Sequence, residues 1–150
     1  MLYLNDQVKE ITGYDADEFL SGKINFTQLY HPEDRERIFN EVDKALEIRK
    51  KYQLEYRIRH HNGEWRWVEE IGTGVYDGNS LNFLEGFISD ITERKKSEEQ
   101  LLRSKLNLEA VALKLQEQNR QLDEFAHIIS HNLRSPVGNI KALIGLLNND

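Results

Sequence analysis

Near the C-terminal end of the chain, one short run contains residue types that can do phosphoryl chemistry. The run is Ser130-His-Asn-Leu-Arg-Ser-Pro136, and it lies in a segment whose apolar residues recur with helical spacing. We expect His131 on the polar face of that helix, where a neutral imidazole can attack phosphorus. The side-chain carbonyl of Asn132 can accept a hydrogen bond from one ring nitrogen and leave the other free. The sequence therefore makes His131 a candidate phosphoryl acceptor.

The run resembles the phosphoacceptor box of sensor histidine kinases, S-H-E/D-L-R-T-P. Five residues match in place, whereas Asn132 stands at the acidic position and Ser135 at the threonine position. The resemblance implies that His131 accepts the γ-phosphoryl group of ATP and passes it to an aspartate of a response-regulator receiver domain. It also implies that Arg134 meets phosphate or a carboxylate of the partner. Because Asn132 cannot take up a proton, we expect slower autophosphorylation than with an acid there. The Asn132/Ser135 pair also departs from the acid-and-threonine pair linked to phosphatase action.

Two neighbouring residues, His127 and Pro136, bear on this interpretation. A histidine on an exposed helix usually has no chemical role, and His127, which lacks the following arginine and proline, is interpreted that way. Pro136 removes a backbone hydrogen bond, so a bend is expected there. Beyond it an apolar face resumes with Ile140, Leu143, Ile144 and Leu147.

The segment upstream of the acceptor run has the spacing of a coiled coil. Apolar residues recur there every seven positions. If they are a positions, Val111 and Phe125 are among the d positions, whereas if they are d positions, the less apolar Lys105 and Ala112 are among the a positions. We therefore prefer the first phase. The sequence predicts a parallel homodimer through this seam. The recurring residues are Leu101, Leu108, Leu115, Leu122 and Ile129.

Two further features bear on how such a coil would work. Either phase places a polar residue, Gln118 or Asn119, in the seam, which lowers stability but can fix register. A second apolar stripe lies on another side of the helix and suggests a hypothesis in which a signal passes as a small helix rotation between two seams. A static parallel dimer fits the pattern equally well. The second stripe comprises Leu102, Leu106 and Leu113.

The first ninety residues have a different pattern. Two short helical turns are predicted over 6–12 and 15–20, with Asp15 as an N-cap, and a longer helix is predicted to start at Pro32 and to run to about Arg49. Alternating strands separated by turns follow, over 52–58, 64–76 and 81–91. Short helices followed by an antiparallel meander predict an α+β fold.

This stretch resembles a PAS domain with its C-terminal PAC segment. The resemblance implies an antiparallel sheet with flanking short helices, followed here by the long coiled-coil helix. It also implies that the family's first strand precedes Met1, so that either a short upstream piece was cut away or a partner chain supplies that edge of the sheet. We therefore divide the chain into a PAS/PAC sensor domain (1–92), a coiled-coil linker (93–121) and the first acceptor helix (122–150). The resemblance rests on Ile11-Thr-Gly-Tyr14, His31-Pro-Glu-Asp34, Tyr56-Arg-Ile-Arg59, Asn62-Gly-Glu-Trp-Arg-Trp67 and Gly86-Phe-Ile-Ser-Asp-Ile-Thr-Glu-Arg94.

Other candidate residues in this region have simpler interpretations. His31 lacks a second ligand at metal-binding spacing, and His60 and His61 fall at a hairpin tip, so structural roles are favoured for all three. Trp65 and Trp67 share one strand face and are expected to pack on the sheet rather than line a ligand pocket. A third pair, Gly72 and Gly74, indicates a bulge or close packing.

Composition narrows the function classes further. The chain has 150 residues, a formal charge of −6 and no cysteine, which argues against nucleic acid as the main partner and excludes thiolate metal sites and cysteinyl photoadducts. No apolar run reaches the length of a membrane span, so a cytoplasmic location is expected. No nucleotide-binding motif follows the acceptor run, so ATP and Mg²⁺ are expected to bind a separate domain of a parent kinase, and this piece alone is expected to be inactive. No PAS ligand or metal can be named. The rival interpretation is a PAS dimerisation module without phosphoryl chemistry.

Overall fold

Turn residues divide the N-terminal part into short helices and a meander of strands. The computed structural model describes residues 7–147, except for the side chains of Ser135 and of residues 142–147. The strand expected before Met1, and the apolar side chains expected at Leu143, Ile144 and Leu147, therefore lie outside the described residues. The helices are α1 (Gln7–Thr12), α2 (Ala16–Leu20), α3 (Arg35–Glu47) and α4 (Thr92–Leu147), and the strands are β1 (Tyr52–Arg59), β2 (Trp65–Asp77) and β3 (Ser80–Asp90).

The described strands form one antiparallel sheet in the order β1-β2-β3. Tyr56 lies opposite Val68 in the first pair, and Glu70 lies opposite Ile88 in the second. The β1–β2 turn depends on Gly63, whose φ of 90° is a conformation that glycine adopts readily. The α+β fold predicted from the sequence is confirmed, with strand limits within about two residues of the expected ones.

Alternation along the strands gives the sheet two different faces. On what we call the inner face, β1 buries alternate residues against the helices, and Ile38 of α3, only 2% exposed, is part of the same core. The opposite, outer face carries mainly charged residues on β1. The buried core consists of Val8, Phe19, Leu29, Ile38, Tyr52, Leu54, Tyr56, Ile58 and Val68.

The start of α3 differs from the prediction. We expected a helix from Pro32, but Pro32 to Asp34 form a turn and the helix begins at Arg35. The reason is that the Asp34 carboxylate binds Arg57 of β1, which holds the turn beside the strand. One side of this helix packs on the core, since Ile38 is buried and Val42 lies against the core cluster.

The chain divides into two compact units, one ending at Glu99 and the other starting at Gln100. Consequently, the first turns of α4 belong to the sheet-containing unit. The second unit is the rest of α4, which contains Pro136 and continues beyond it. In the described part of the chain, no helix combines the length and apolarity needed to cross a membrane.

Candidate functional site

The acceptor run lies inside α4, in the unit that starts at Gln100. His131, Asn132 and Arg134 are all exposed there. The fourth residue predicted for this site, Ser135, has a side chain outside the description. The imidazole, the amide and the guanidinium therefore lie on one solvent-exposed stretch of helix, where another domain can reach them. Their chemical roles stay a prediction.

Apolar side chains upstream of this run are also open to solvent. Exposure in the predicted seam ranges from 40% at Ile129 to 72% at Leu101. The second stripe is exposed to a similar extent, with 58% for Leu102 and 68% for Leu113. Rows of exposed leucine of this length are typical of interaction surfaces. Exposure alone does not distinguish the two stripes.

Strand β3 and helix α4 are joined by a compact hydrogen-bonded junction. The Trp67 amide donates to the Thr92 hydroxyl oxygen at 3.0 Å, and the Thr92 amide donates to Asp90 at 2.8 Å. The Ile91 amide donates to the Trp67 carbonyl at 2.9 Å, and the Ile91 side chain is buried. A guanidinium nitrogen of Arg66 lies 3.3 Å from a carboxylate oxygen of Asp90, so the two side chains form an ion pair. The first residue of α4 is thereby fixed to β2 as well as to β3.

A polar cluster lies on the inner face of the sheet, among apolar core residues. The hydroxyls of Tyr52 and Tyr56 donate to the two carboxylate oxygens of Glu70, at 2.9 and 2.5 Å. The ring of Tyr30 packs edge-on against Tyr56, with 5.1 Å between centroids. Gly72 completes the arrangement, because a Cβ there would lie 2.3 Å from the Tyr52 hydroxyl.

Electrostatics keep the tyrosines of this cluster protonated. Burial raises the pKa of Tyr30 to about 12, and the negative charge of Glu70 adds to the effect. The pKa values of Tyr52 and Tyr56 are also raised, again first by burial and then by Glu70. The cluster therefore presents one carboxylate that is held by two hydroxyl donors. That arrangement suits hydrogen bonding and orientation rather than proton transfer at neutral pH.

Asp34 and Arg57 form a second internal pair. The Asp34 carboxylate accepts from the Arg57 amide at 3.0 Å and from its guanidinium at 2.9 Å, and Asp34 is only 7% exposed. These hydrogen bonds from Arg57 lower the pKa of Asp34, against the opposing effect of burial. The pair joins the turn before α3 to β1.

His31 and His61 both pack against aromatic rings in this unit, and the Nδ1 of His60 accepts a hydrogen bond from the Asn62 amide. The ring of His31 lies 4.5 Å from that of Trp65, and its Nδ1 accepts from the Glu33 amide at 3.3 Å. The ring of His61 packs on Tyr14 at 4.7 Å between centroids. Within the residues that the structure describes, no group of three or more histidine, cysteine or acidic side chains is arranged around a common metal position.

The tryptophans lie on the sheet as expected, but on its outer face. Trp65 is 43% exposed beside His31. The ring of Trp67 has the Arg57 guanidinium 5.6 Å and the Lys95 ammonium 5.3 Å from its centroid. These cation contacts replace the apolar packing that strand alternation alone suggests.

Sequence reasoning missed the inner-face cluster. Val68 is buried, and strand periodicity places Glu70 on the same face two residues later. An acidic residue on a core-facing strand position indicates that hydroxyl or cationic partners must lie nearby. That feature identifies Glu70 from the sequence, although its partners Tyr52 and Tyr56 become evident only once the strand register is known.

Comparison with known families identifies the sheet-containing unit. A family model described as the PAS fold matches residues 1–87, more than half of the chain. The chain therefore belongs to the PAS fold family. The matched residues end before α4 begins, so membership does not extend to the acceptor run.

Individual relatives include sensory proteins and histidine kinases. The methyl sulfide methyltransferase-associated sensor of Methanosarcina acetivorans is 33% identical over 112 residues, which are 73% of this chain and 11% of that protein. The blue-light-activated histidine kinase of Brucella anthropi is 30% identical over 95 residues, 61% of this chain and 18% of that protein. The chain thus spans less than a fifth of the length of these curated relatives.

A solved structure agrees with this relationship. The sensory box histidine kinase/response regulator from Burkholderia thailandensis E264 is 31% identical, with a TM-score of 0.57. The match covers 71% of this chain and 79% of that one. The chain contains a PAS sensor domain related to those of sensory-box histidine kinases.

Proposed function

We propose that this chain is the sensor and phosphoacceptor portion of a two-component histidine kinase. In this proposal the PAS unit detects a signal and α4 passes it to His131. That residue accepts the γ-phosphoryl group of ATP and gives it to a response-regulator aspartate. The observation that carries the proposal is the acceptor run, exposed on the same helix that starts in the sheet-containing unit of a PAS protein. Similarity to histidine kinases supports a kinase parent.

In this proposal His131 is the nucleophile in a displacement at the γ-phosphorus of ATP. A nitrogen of the neutral His131 ring forms a bond to the γ-phosphorus, while the bond between that phosphorus and the β,γ-bridging oxygen breaks and ADP leaves. Asn132 orients the ring by accepting a hydrogen bond from the other nitrogen. Arg134 stabilises negative charge on the phosphoryl oxygens or pairs with a partner carboxylate. The hydroxyl of the next residue, Ser135, is a candidate donor in the same role. In the second step the phosphoryl group moves to the carboxylate of the receiver and the imidazole is regenerated.

The proposed function also implies binding partners for this chain. ATP and Mg²⁺ would bind an ATP-binding domain of the parent protein, because neither is assigned a site on this chain. A second copy would pair in parallel along the seam that begins at Leu101 and ends near Ile129, burying leucines that are exposed in the single chain. Since ATP and receiver domains are found in the cytoplasm, the proposed reaction belongs there.

Radiolabelling of the parent protein tests this function. After incubation with γ-labelled ATP and Mg²⁺, label is expected on the peptide that contains His131. It should be lost in acid and retained in alkali, as expected for a phosphoramidate. Absence of label in a folded, ATP-binding parent would favour the rival function, a PAS interaction module without phosphoryl chemistry.

A further inference from the structure

Glu55 contacts the start of α4 from the outer face of the sheet. It lies on β1 between the buried residues Leu54 and Tyr56, so its side chain points away from the core. One of its carboxylate oxygens accepts from Arg94 at 2.7 Å, and the other pairs with Lys95 at 2.5 Å. One strand carboxylate therefore binds two successive residues of the helix.

Strand β2 contributes the rest of this contact. Glu69, directly opposite Glu55 in the sheet, has a carboxylate oxygen 3.7 Å from the Arg94 guanidinium. Trp67 lies with its ring centroid 5.3 Å from the ammonium of Lys95. We call Glu55, Trp67, Glu69, Arg94 and Lys95 the outer clamp. Its members come from both strands and from the first turn of the helix, so it crosses three elements.

The pair between Glu55 and Lys95 favours the charged form of both side chains. The pKa of Glu55 is lowered, chiefly by its hydrogen bond with Lys95, and the pKa of Lys95 is raised, chiefly by the same hydrogen bond. Both groups are therefore ionised at neutral pH. Lys96, the next cation along the helix, pairs instead with Glu93 of the helix itself at 2.9 Å.

The clamp adds a constraint that the junction alone does not provide. The hydrogen bonds of Thr92 to Trp67 and Asp90 fix only the first residue of the helix. Arg94 and Lys95 follow on different sides of the first turn, because successive helical residues are about 100° apart. Holding both of them on one carboxylate sets the rotation of the helix about its axis.

We propose that Glu55 is a positioning residue whose pairs with Arg94 and Lys95 set the rotation of α4 on the PAS sheet, and that signalling acts by weakening these pairs. The first part concerns the described unit alone; the second rests on the proposed function. Tyr56, the next residue of β1, holds Glu70 on the inner face. A change at the inner-face cluster thus reaches the outer clamp through a single peptide unit.

Hydrogen exchange in the whole chain tests the first part. In Glu55→Gln, amides of 95–99 are expected to exchange roughly threefold to tenfold faster, in line with the loss of a partly exposed ion-pair network. Amides of β1 and β2 should keep their wild-type rates. High salt should accelerate the same amides in the wild type and have little further effect in the variant.

Glu98→Gln is the matched control. Glu98 lies 3.7 Å from Lys95 but on the helix itself, so its loss removes a neighbouring negative charge without touching the sheet. Equal exchange rates at 95–99 in Glu55→Gln and wild type would overturn the clamp. So would an equally large increase in Glu98→Gln.

Labelling of the parent kinase tests the second part. Glu55→Gln is expected to change the steady-state level of label on His131 at least threefold, and Glu98→Gln is expected to leave it unchanged. Wild-type levels in Glu55→Gln, in a parent that does label at His131, would overturn the regulatory role. Absence of label in every form would contradict the proposed function instead, and the exchange measurement would then decide the clamp by itself.

Discussion

Asn132 is the residue at which the acceptor run departs most from the histidine-kinase pattern. Its amide can orient the neighbouring imidazole, but it can neither accept a proton nor stabilise an imidazolium by charge. We expect Asn132→Asp to accelerate autophosphorylation of the full-length parent by about tenfold or more, which is less than the roughly hundredfold or more that a positioned base typically contributes, because Asn132 already orients the ring. Initial rates of label incorporation measure this.

Asn139 provides the control for that substitution. It is an exposed asparagine on the same helix, beyond Pro136. Asn139→Asp adds the same charge without a histidine beside it and should leave the rate unchanged. An Asn132→Asp variant no faster than wild type would contradict the expectation that proton acceptance and negative charge at this position accelerate the reaction.

Asp34 makes the stability of the PAS unit dependent on pH. Its carboxyl pKa is lowered by hydrogen bonds from Arg57, so the folded state binds the proton less tightly than the unfolded chain does. Its contribution is therefore complete above about pH 5 and is lost as the pH falls below about 4. We expect Asp34→Asn to lower the free energy of unfolding by about 2 kcal/mol at pH 7, and the difference from wild type should shrink in acid. Urea unfolding at several pH values measures both effects.

Glu33→Gln is the comparison for this prediction. Glu33 binds the same guanidinium at 3.0 Å, but its side chain is 75% exposed. Its loss is expected to cost less than about 0.5 kcal/mol. Similar losses in the two variants would mean that burial of Asp34 is not what makes its pair with Arg57 stabilising.

At the residue scale, the sequence shows which residues are notable, but not which residues they contact in the fold. His31 and Trp65 were both singled out, but their mutual ring contact depends on how the turn before α3 lies along β1. The binding of Glu55 to Lys95 likewise depends on which strand lies beside the first turn of α4. Such contacts join residues that are far apart in the chain, and local patterns carry no information about them.

Among the elements, α4 allows its predicted seam to be tested directly. Gln118 is a d position in the preferred phase, whereas Asn119 enters the seam only in the other one. Gln118→Leu is expected to stabilise a dimer by about 1 kcal/mol or more, because a polar side chain in the seam is replaced by an apolar one. Thermal unfolding at several protein concentrations measures this, since the midpoint of a dimer depends on concentration.

Asn119→Leu distinguishes the two phases. In the preferred phase this change falls outside the seam and leaves dimer stability nearly unchanged. A larger gain from Asn119→Leu than from Gln118→Leu would assign the seam to the alternative phase. Unfolding independent of concentration in both variants would contradict a dimer through this helix.

The limits of the elements were predictable to different degrees. The strands were found within about two residues because the Asn62-Gly63 and Gly78-Asn79 turns separate them clearly. The start of α3 was wrong because Pro32 is well suited to a first helical turn, yet the tertiary pair between Asp34 and Arg57 holds those residues in a separate turn. Here a long-range contact outweighs local preference.

At the scale of the whole molecule, two units share one helix. The first ends at Glu99 and contains the PAS sheet, the inner-face cluster and the outer clamp; the second starts at Gln100 and contains His131. The domain boundary predicted after residue 92 from the change in composition stays a prediction. The ion pairs of Arg94 and Lys95 attach the first turns of α4 to the sheet. The helix therefore begins as part of the sensor.

Replacement of the acceptor histidine tests the proposed function most directly. His131→Gln, in the full-length parent protein, is expected to abolish acid-labile label from γ-labelled ATP while leaving folding and nucleotide binding intact. His127→Gln, four residues earlier on the same helix, is expected to retain it. Full label in His131→Gln, or its loss only in His127→Gln, would contradict the assignment of His131 as the phosphoryl acceptor.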